Sequence, residues 1–181
     1  FVDLKARYQD EAAELRKCFD RVLESGQLVL SKHVEDLEQH VCAYTGSKYC
    51  VSLNSGTDAL MIGLWASGVG KGDEVIIPAI SFFATVGAVC HVGATPVFCD
   101  VSDDLNIDTE KVEDLISDRT KAVMPVHWTG RTADLERLNQ ICTKHNLLLF
   151  EDSAQSMGGT YKGSHPGIIG HFGAISCHPL K

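Results

Sequence analysis

A chain of 181 residues, 44% hydrophobic and 22% charged, is long enough to bury one sizeable core, and its composition is that of a globular domain. Sixteen basic residues against twenty-four acidic ones give a formal charge of −8, which argues against the basic stripe of a nucleic-acid binder. No apolar run approaches the length of a membrane-spanning helix, and the opening FVDLKARYQDE reads as neither a signal peptide nor a transit peptide.

The first helical pattern places Leu15, Cys18, Phe19, Val22 and Leu23 on one face, and Ser25-Gly26 ends it. A second short helix is expected to start at Ser31, with Val34, Leu37 and Val41 facing inward. Short apolar runs then alternate with helix-period runs. Strands are expected over 49–53, 75–78, 96–99, 122–126, 147–150 and 173–177, and helices over 57–67, 82–92, 109–116 and 132–145. This alternation implies βαβ units, so the expected class is α/β, a mostly parallel sheet flanked by helices. VIIP, AVMPV and LLLF are near-continuous apolar runs, as in strands covered on both faces. The Gly-rich stretch 158–173 reads as a loop or a hairpin. The seven cysteines, at 18, 42, 50, 90, 99, 142 and 177, are odd in number and form no C-x-x-C pair. They read as buried thiols in a reducing cytosol rather than a disulfide framework or zinc site.

Ligands of open α/β sheets bind outside the carboxyl ends of the strands. The residues to inspect are therefore Asn54 to Thr57, Ser81-Phe82, His127 to Gly130, Glu151 to Gln155, and His178 to Lys181. Ser55-Gly56-Thr57 joins a strand to a helix. It suits a phosphate, because glycine admits close approach and the helix N-terminus offers free N–H groups; it equally suits an ordinary helix cap. Asp152 follows a buried strand, where a carboxylate serves either as a cap or in a site, and Gln155 follows three residues later. Lys181 is either a surface lysine or a buried amine whose lowered pKa favours the neutral, nucleophilic form. The eight histidines show no metal-ligand spacing, and no G-x-S-x-G elbow or P-loop is present. Taken together, a phosphate cup, an aromatic (Phe82), a carboxylate and a lysine are the four parts that pyridoxal phosphate requires.

The segments FVDLKARY, VLESGQLVLS, NSGTDAL, GDEVIIPAISFFAT, GATPVFCDV, TKAVMPVHWTGR, LLLFEDSAQSMGGTYKG and SCHPLK follow one another in order. In these the chain resembles the DegT/DnrJ/StrS family of pyridoxal-phosphate-dependent nucleotide-sugar aminotransferases. The resemblance implies the large domain of an aspartate-aminotransferase-like fold (fold type I), with residues 1–45 as N-terminal helices and 46–181 as the α/β cofactor-binding core. It implies that Gly56, Thr57 and Ser176 hold the cofactor phosphate and that Phe82 stacks on the ring. Asp152 would pair with the ring nitrogen and Gln155 would contact the ring hydroxyl. Lys181 would bond to the cofactor aldehyde and then move the proton. The implied reaction takes an amino group from glutamate to a keto-sugar nucleotide, in a cytoplasmic homodimer without metal.

The resemblance also carries departures and rivals. The family usually has an acid where this chain has His171. As the resemblance has it, relatives run to about twice this length, so a later part of the large domain and a small C-terminal domain are expected to be absent. A sugar-dehydrating branch replaces the lysine with histidine, which Lys181 counts against. A non-catalytic regulator retaining the fold is the reading from a different class.

Overall fold

The computed structural model describes residues 3–180 and divides into a unit ending at Ser52 and one running from Leu53 to Pro179. In the first unit, α1 spans Leu4–Ser25 and α2 spans Lys32–Thr45. Asp3 caps α1 by accepting from the N–H groups of Lys5 and Ala6, and Gly26 ends it at φ +65°, a conformation glycine adopts without penalty. Ser31 stands at the N-cap of α2, as expected. The helical periods are as read, but the apolar stripes are not covered. Leu15, Phe19, Leu23 and Leu37 are exposed, and Val34 and Val41 are half-buried.

The expected strand at 49–53 does not form. Its β-branched and aromatic residues fit a pleated surface, but a strand is made by its neighbours, and no described segment pairs with it. Tyr49 and Val51 are each 75% exposed, while the Ser52 N–H is held by Glu38 Oε1 of α2 at 2.7 Å.

The second unit contains α3 (Gly56–Ala66), β1 (Glu74–Pro78), α4 (Phe83–His91), β2 (Thr95–Cys99) and α5 (Thr109–Val112). A 3₁₀ turn over Glu113–Leu115 continues α5, so the expected single helix of 109–116 is split. Next come β3 (Thr120–Val123), α6 (Leu135–His145), β4 (Leu148–Asp152) and β5 (Phe172–Ala174). The five strands lie in the order β2-β1-β3-β4-β5, and every neighbouring pair is parallel. The sequence class α/β is therefore what the chain adopts.

Strand alternation sorts the core into two layers. Val75, Ile77, Ala122, Met124 and Phe150 pack with α3 and α4. Ile76, Val123 and Leu149 pack with α5 and α6. Because β1 has β2 on one side and β3 on the other, the strand order reverses there, and a crevice opens at the carboxyl ends of the strands. The cysteine reading is corrected: Cys99 and Cys142 are buried, but Cys18, Cys90 and Cys177 are exposed. Among the described residues no helix is long and apolar enough to cross a membrane.

Candidate functional site

The crevice gathers residues that are distant in sequence. Gly56, Thr57, Phe82, Asp152, Gln155 and Ser176 line one pocket, with Leu60, Ala84, Val126 and Ala154 as its apolar walls. Each polar member lies at or just beyond the end of a strand or at the start of a helix, where the parallel sheet delivers it. Lys181 lies outside the described residues.

At the N-terminus of α3, the cap and the cup coexist. Ser55 Oγ accepts from the Asp58 N–H at 3.1 Å, so Ser55 is the cap. The N–H groups of Gly56 and Thr57 make no hydrogen bond among the described residues, as expected of the first turn of a helix. Gly56 permits a close approach: a Cβ there would stand 3.2 Å from Ser176 Cβ, a tight contact. Its absence lets the Ser176 side chain close on the helix end, which puts a hydroxyl beside two free N–H groups. That donor set, at the positive end of a helix dipole, is a cradle for one phosphate.

Asp152 is buried at the end of β4, with no helix after it to cap. Its Oδ1 accepts from the Ala154 N–H at 3.2 Å, and its Oδ2 accepts from the Thr85 hydroxyl at 2.7 Å. Thr85 is fully buried in α4, and its hydroxyl also meets Ser81 Oγ. Because Thr85 donates to the carboxylate, Ser81 donates to Thr85, and the chain of hydroxyls polarises toward Asp152. Gln155 is oriented by the turn after β3. Its Oε1 accepts from the Thr129 N–H at 3.0 Å, where Thr129 has φ +52°. The buried Asn106 steadies that turn by accepting from the Trp128 N–H at 3.2 Å. Phe82 is 57% exposed, an aromatic face at the pocket rim.

His171 does not enter the pocket. Its Nδ1 accepts from the Leu149 N–H at 3.0 Å, beside the backbone bond from the His171 N–H to the Leu149 carbonyl. A carboxylate would accept from the same N–H, so histidine in place of the acid preserves the local contact.

Thr85 had no place among the expected site residues, and Ser81 was a position to inspect that carried no role. The available signal was the single hydroxyl in the otherwise apolar run FATVGAVC. Glu151 and His127 were positions to inspect but carried no role. Both are fully buried and face the opposite side of the sheet from Asp152.

A family model described as the DegT/DnrJ/EryC1/StrS aminotransferase family matches residues 9–181. A pleiotropic regulatory protein of Geobacillus stearothermophilus is 39% identical over 99% of this chain and 49% of its own length. The dTDP-3-amino-3,6-dideoxy-alpha-D-galactopyranose transaminase of Aneurinibacillus thermoaerophilus is 39% identical over 97% of this chain and 49% of its own. The chain thus spans about half the length of the curated relatives it matches. The crystal structure of ntda from Bacillus subtilis with bound cofactor PMP superposes with a TM-score of 0.83 and 36% identity, over 87% of this chain and 37% of that one.

Proposed function

This chain belongs to the DegT/DnrJ/EryC1/StrS aminotransferase family, and from that premise we propose that it forms the N-terminal part of the cofactor-binding domain of a pyridoxal-phosphate aminotransferase acting on a keto-sugar nucleotide. The observation that carries the reading is the convergence of the two free N–H groups of α3, the Ser176 hydroxyl and the buried Asp152 carboxylate in one pocket. The PMP-bound Bacillus subtilis structure and the sugar transaminase name of the Aneurinibacillus relative support it.

The donor set fits the cofactor. Gly56 and Thr57 N–H groups and Ser176 Oγ are suited to its phosphate, and Phe82 offers a ring face for stacking. When bound, pyridoxal phosphate supplies an electron sink for charge that develops at the amine-bearing carbon. Asp152 holds a proton on the pyridine nitrogen by hydrogen bond and charge, and Thr85 keeps that carboxylate aimed. Gln155 has its carbonyl occupied by Thr129, so its amide NH₂ is the end left to donate to the ring oxygen. Lys181 is the nucleophilic amine and the base that moves the proton. Glutamate as amino donor belongs to the same proposal. So do a homodimer, for which exposed Trp65, Phe83 and Phe98 offer apolar surface, and a cytoplasmic location, in keeping with seven free cysteines.

Borohydride reduction of the complete protein with pyridoxal phosphate, followed by peptide mapping, tests this. The pyridoxyl group is expected on Lys181; a label on Lys162, or none, would overturn the assignment. Conversion of the bound cofactor to its amine form by glutamate separates an aminotransferase from a regulator that retains the fold.

A further inference from the structure

β4 ends in two adjacent carboxylates, and strand alternation sends them to opposite faces. Asp152 enters the pocket. Glu151 points away from it and is fully buried, where an anion persists only if hydrogen bonds replace its hydration. Its Oε1 accepts from the Ile169 N–H at 2.8 Å and the Gly170 N–H at 2.6 Å. Its Oε2 accepts from the Gly167 N–H at 2.8 Å and lies 3.1 Å from His127 Nε2. His127 Nδ1 accepts from the Ala133 N–H at 3.2 Å, which leaves the proton on Nε2, facing the carboxylate. Burial by itself would raise the Glu151 carboxyl, but the bonds from His127, Gly170 and Gly167 outweigh it and hold it below the usual range.

The three backbone bonds pin the turn 167–170 against β4. Its closeness is visible at the glycines: a Cβ on Gly170 would stand 2.5 Å from the Leu149 carbonyl oxygen, and one on Gly173 would stand 2.2 Å from that of Gly167. The turn leads directly into β5, where Gly173 is registered with Glu151 and Ala174 with Asp152. Two residues beyond Ala174 comes Ser176, against Gly56. On its other side, the His127 N–H donates to the Asp152 carbonyl at 3.1 Å. One buried anion therefore ties the strand that delivers Ser176 to the strand that delivers Asp152.

We infer that Glu151 and His127 form a positioning pair for the phosphate cup: the carboxylate fixes the turn before β5 and so sets Ser176 against the N-terminus of α3. The inference rests on the cofactor reading above, with Gly56, Thr57 and Ser176 as phosphate donors. Glu151 touches nothing in the pocket and acts through Ser176.

The test compares dissociation constants of the complete protein for pyridoxal phosphate and for pyridoxal, which lacks the phosphate. The ratio of the two isolates the work of the cup. Glu151→Gln removes an acceptor from buried N–H donors, and the ratio is expected to fall about tenfold or more. Ser176→Ala is expected to lower it comparably, and the double variant no further than the worse single one, because both act on one contact. His127→Gln, which can still donate to Glu151 and accept from Ala133, keeps the ratio; His127→Phe loses it. A Glu151→Gln protein that melts earlier but keeps the wild-type ratio, or losses that multiply in the double variant, would overturn the inference. If Glu151→Gln fails to fold, the two His127 variants decide on the same ratio. A wild-type ratio near one would instead overturn the cofactor reading, and the inference with it.

Discussion

Thr85 carries the most direct link between α4 and the pocket carboxylate. Replacing it by valine keeps the shape and exchanges a hydroxyl for a methyl. The lost interaction is a 2.7 Å hydrogen bond to a buried carboxylate, and bonds to charged groups contribute about 1.5–3 kcal/mol. The added methyl recovers about 0.8 kcal/mol of apolar burial. Thr85→Val should therefore destabilise the protein by about 1–2 kcal/mol. That figure alone does not identify the cause, since disturbing any buried residue can cost as much. A double-mutant cycle with Asp152→Ala does. Urea unfolding of the wild type, the two single variants and the double variant yields the coupling between the two side chains. It should come to about 1.5–3 kcal/mol, because once either partner is gone the bond between them cannot be lost a second time. Effects that add to within about 0.5 kcal/mol would show that the hydroxyl does not hold the carboxylate, and that the polarised chain from Ser81 is a misreading of the geometry.

Three further outcomes follow from the same structure. Gly173→Ala would drive its Cβ against the Gly167 carbonyl, a methyl against backbone that cannot swing aside, and should cost about 2–3 kcal/mol in thermal or urea unfolding; Gly158→Ala, with open space around it, should be near neutral. The Glu113 carboxyl is pulled down to about 2 from 4.5 by its bonds to Lys144 and His145, a depressed pKa that favours the folded state above the unfolded value. The stability advantage of the wild type over Glu113→Gln should be full above pH 4.5 and vanish as the pH falls toward 2, as read by thermal melts across that range; an advantage that persists in acid would contradict the assignment. Burial pushes the Cys142 thiol up to about 12 and that of Cys99 to about 11, so iodoacetamide at neutral pH should label Cys18, Cys90 and Cys177 in the native protein while sparing those two, as mass spectrometry would show.

The fold was legible where local pattern and final environment agree. VIIP and LLLF are strands because both faces of a parallel sheet are covered, and an unbroken apolar run has that one stable use here. The segment 49–53 has an equally strong pattern and is no strand, since pairing is a property of two segments and the run describes only one. The stripe of α1 likewise reports the period of the helix, not what lies against it. Most of the pocket was legible because a parallel sheet collects its strand ends on one edge, so Gly56, Thr57, Phe82, Asp152 and Gln155, chosen one strand at a time, converge, while Ser176 came only with the family resemblance. The supporting layer was not. Thr85 and Asp152 are 67 positions apart, and Glu151 meets the turn at 167–170 only through the backbone of that turn. Backbone donors leave no side-chain signature to read.

The adjacency of Glu151 and Asp152 makes the site depend on parity. Between His145, the last residue of α6, and Leu148, the first of β4, there are only Asn146 and Leu147, with Asn146 already in the left-handed conformation at φ +54°. One residue gained or lost in that connection, if taken up by β4 slipping one place against β3 and β5, would turn every side chain of β4 through the sheet. The longer acid would then lie on the face of Thr85, and a carboxylate with a different reach on the face of the turn, whose three N–H groups Glu151 now meets. A slip of two places would leave both acids on their present faces. A slip by one place should therefore take the Asp152 carboxylate out of the pocket, while a slip by two, although the larger change, keeps it on the pocket's face of the sheet.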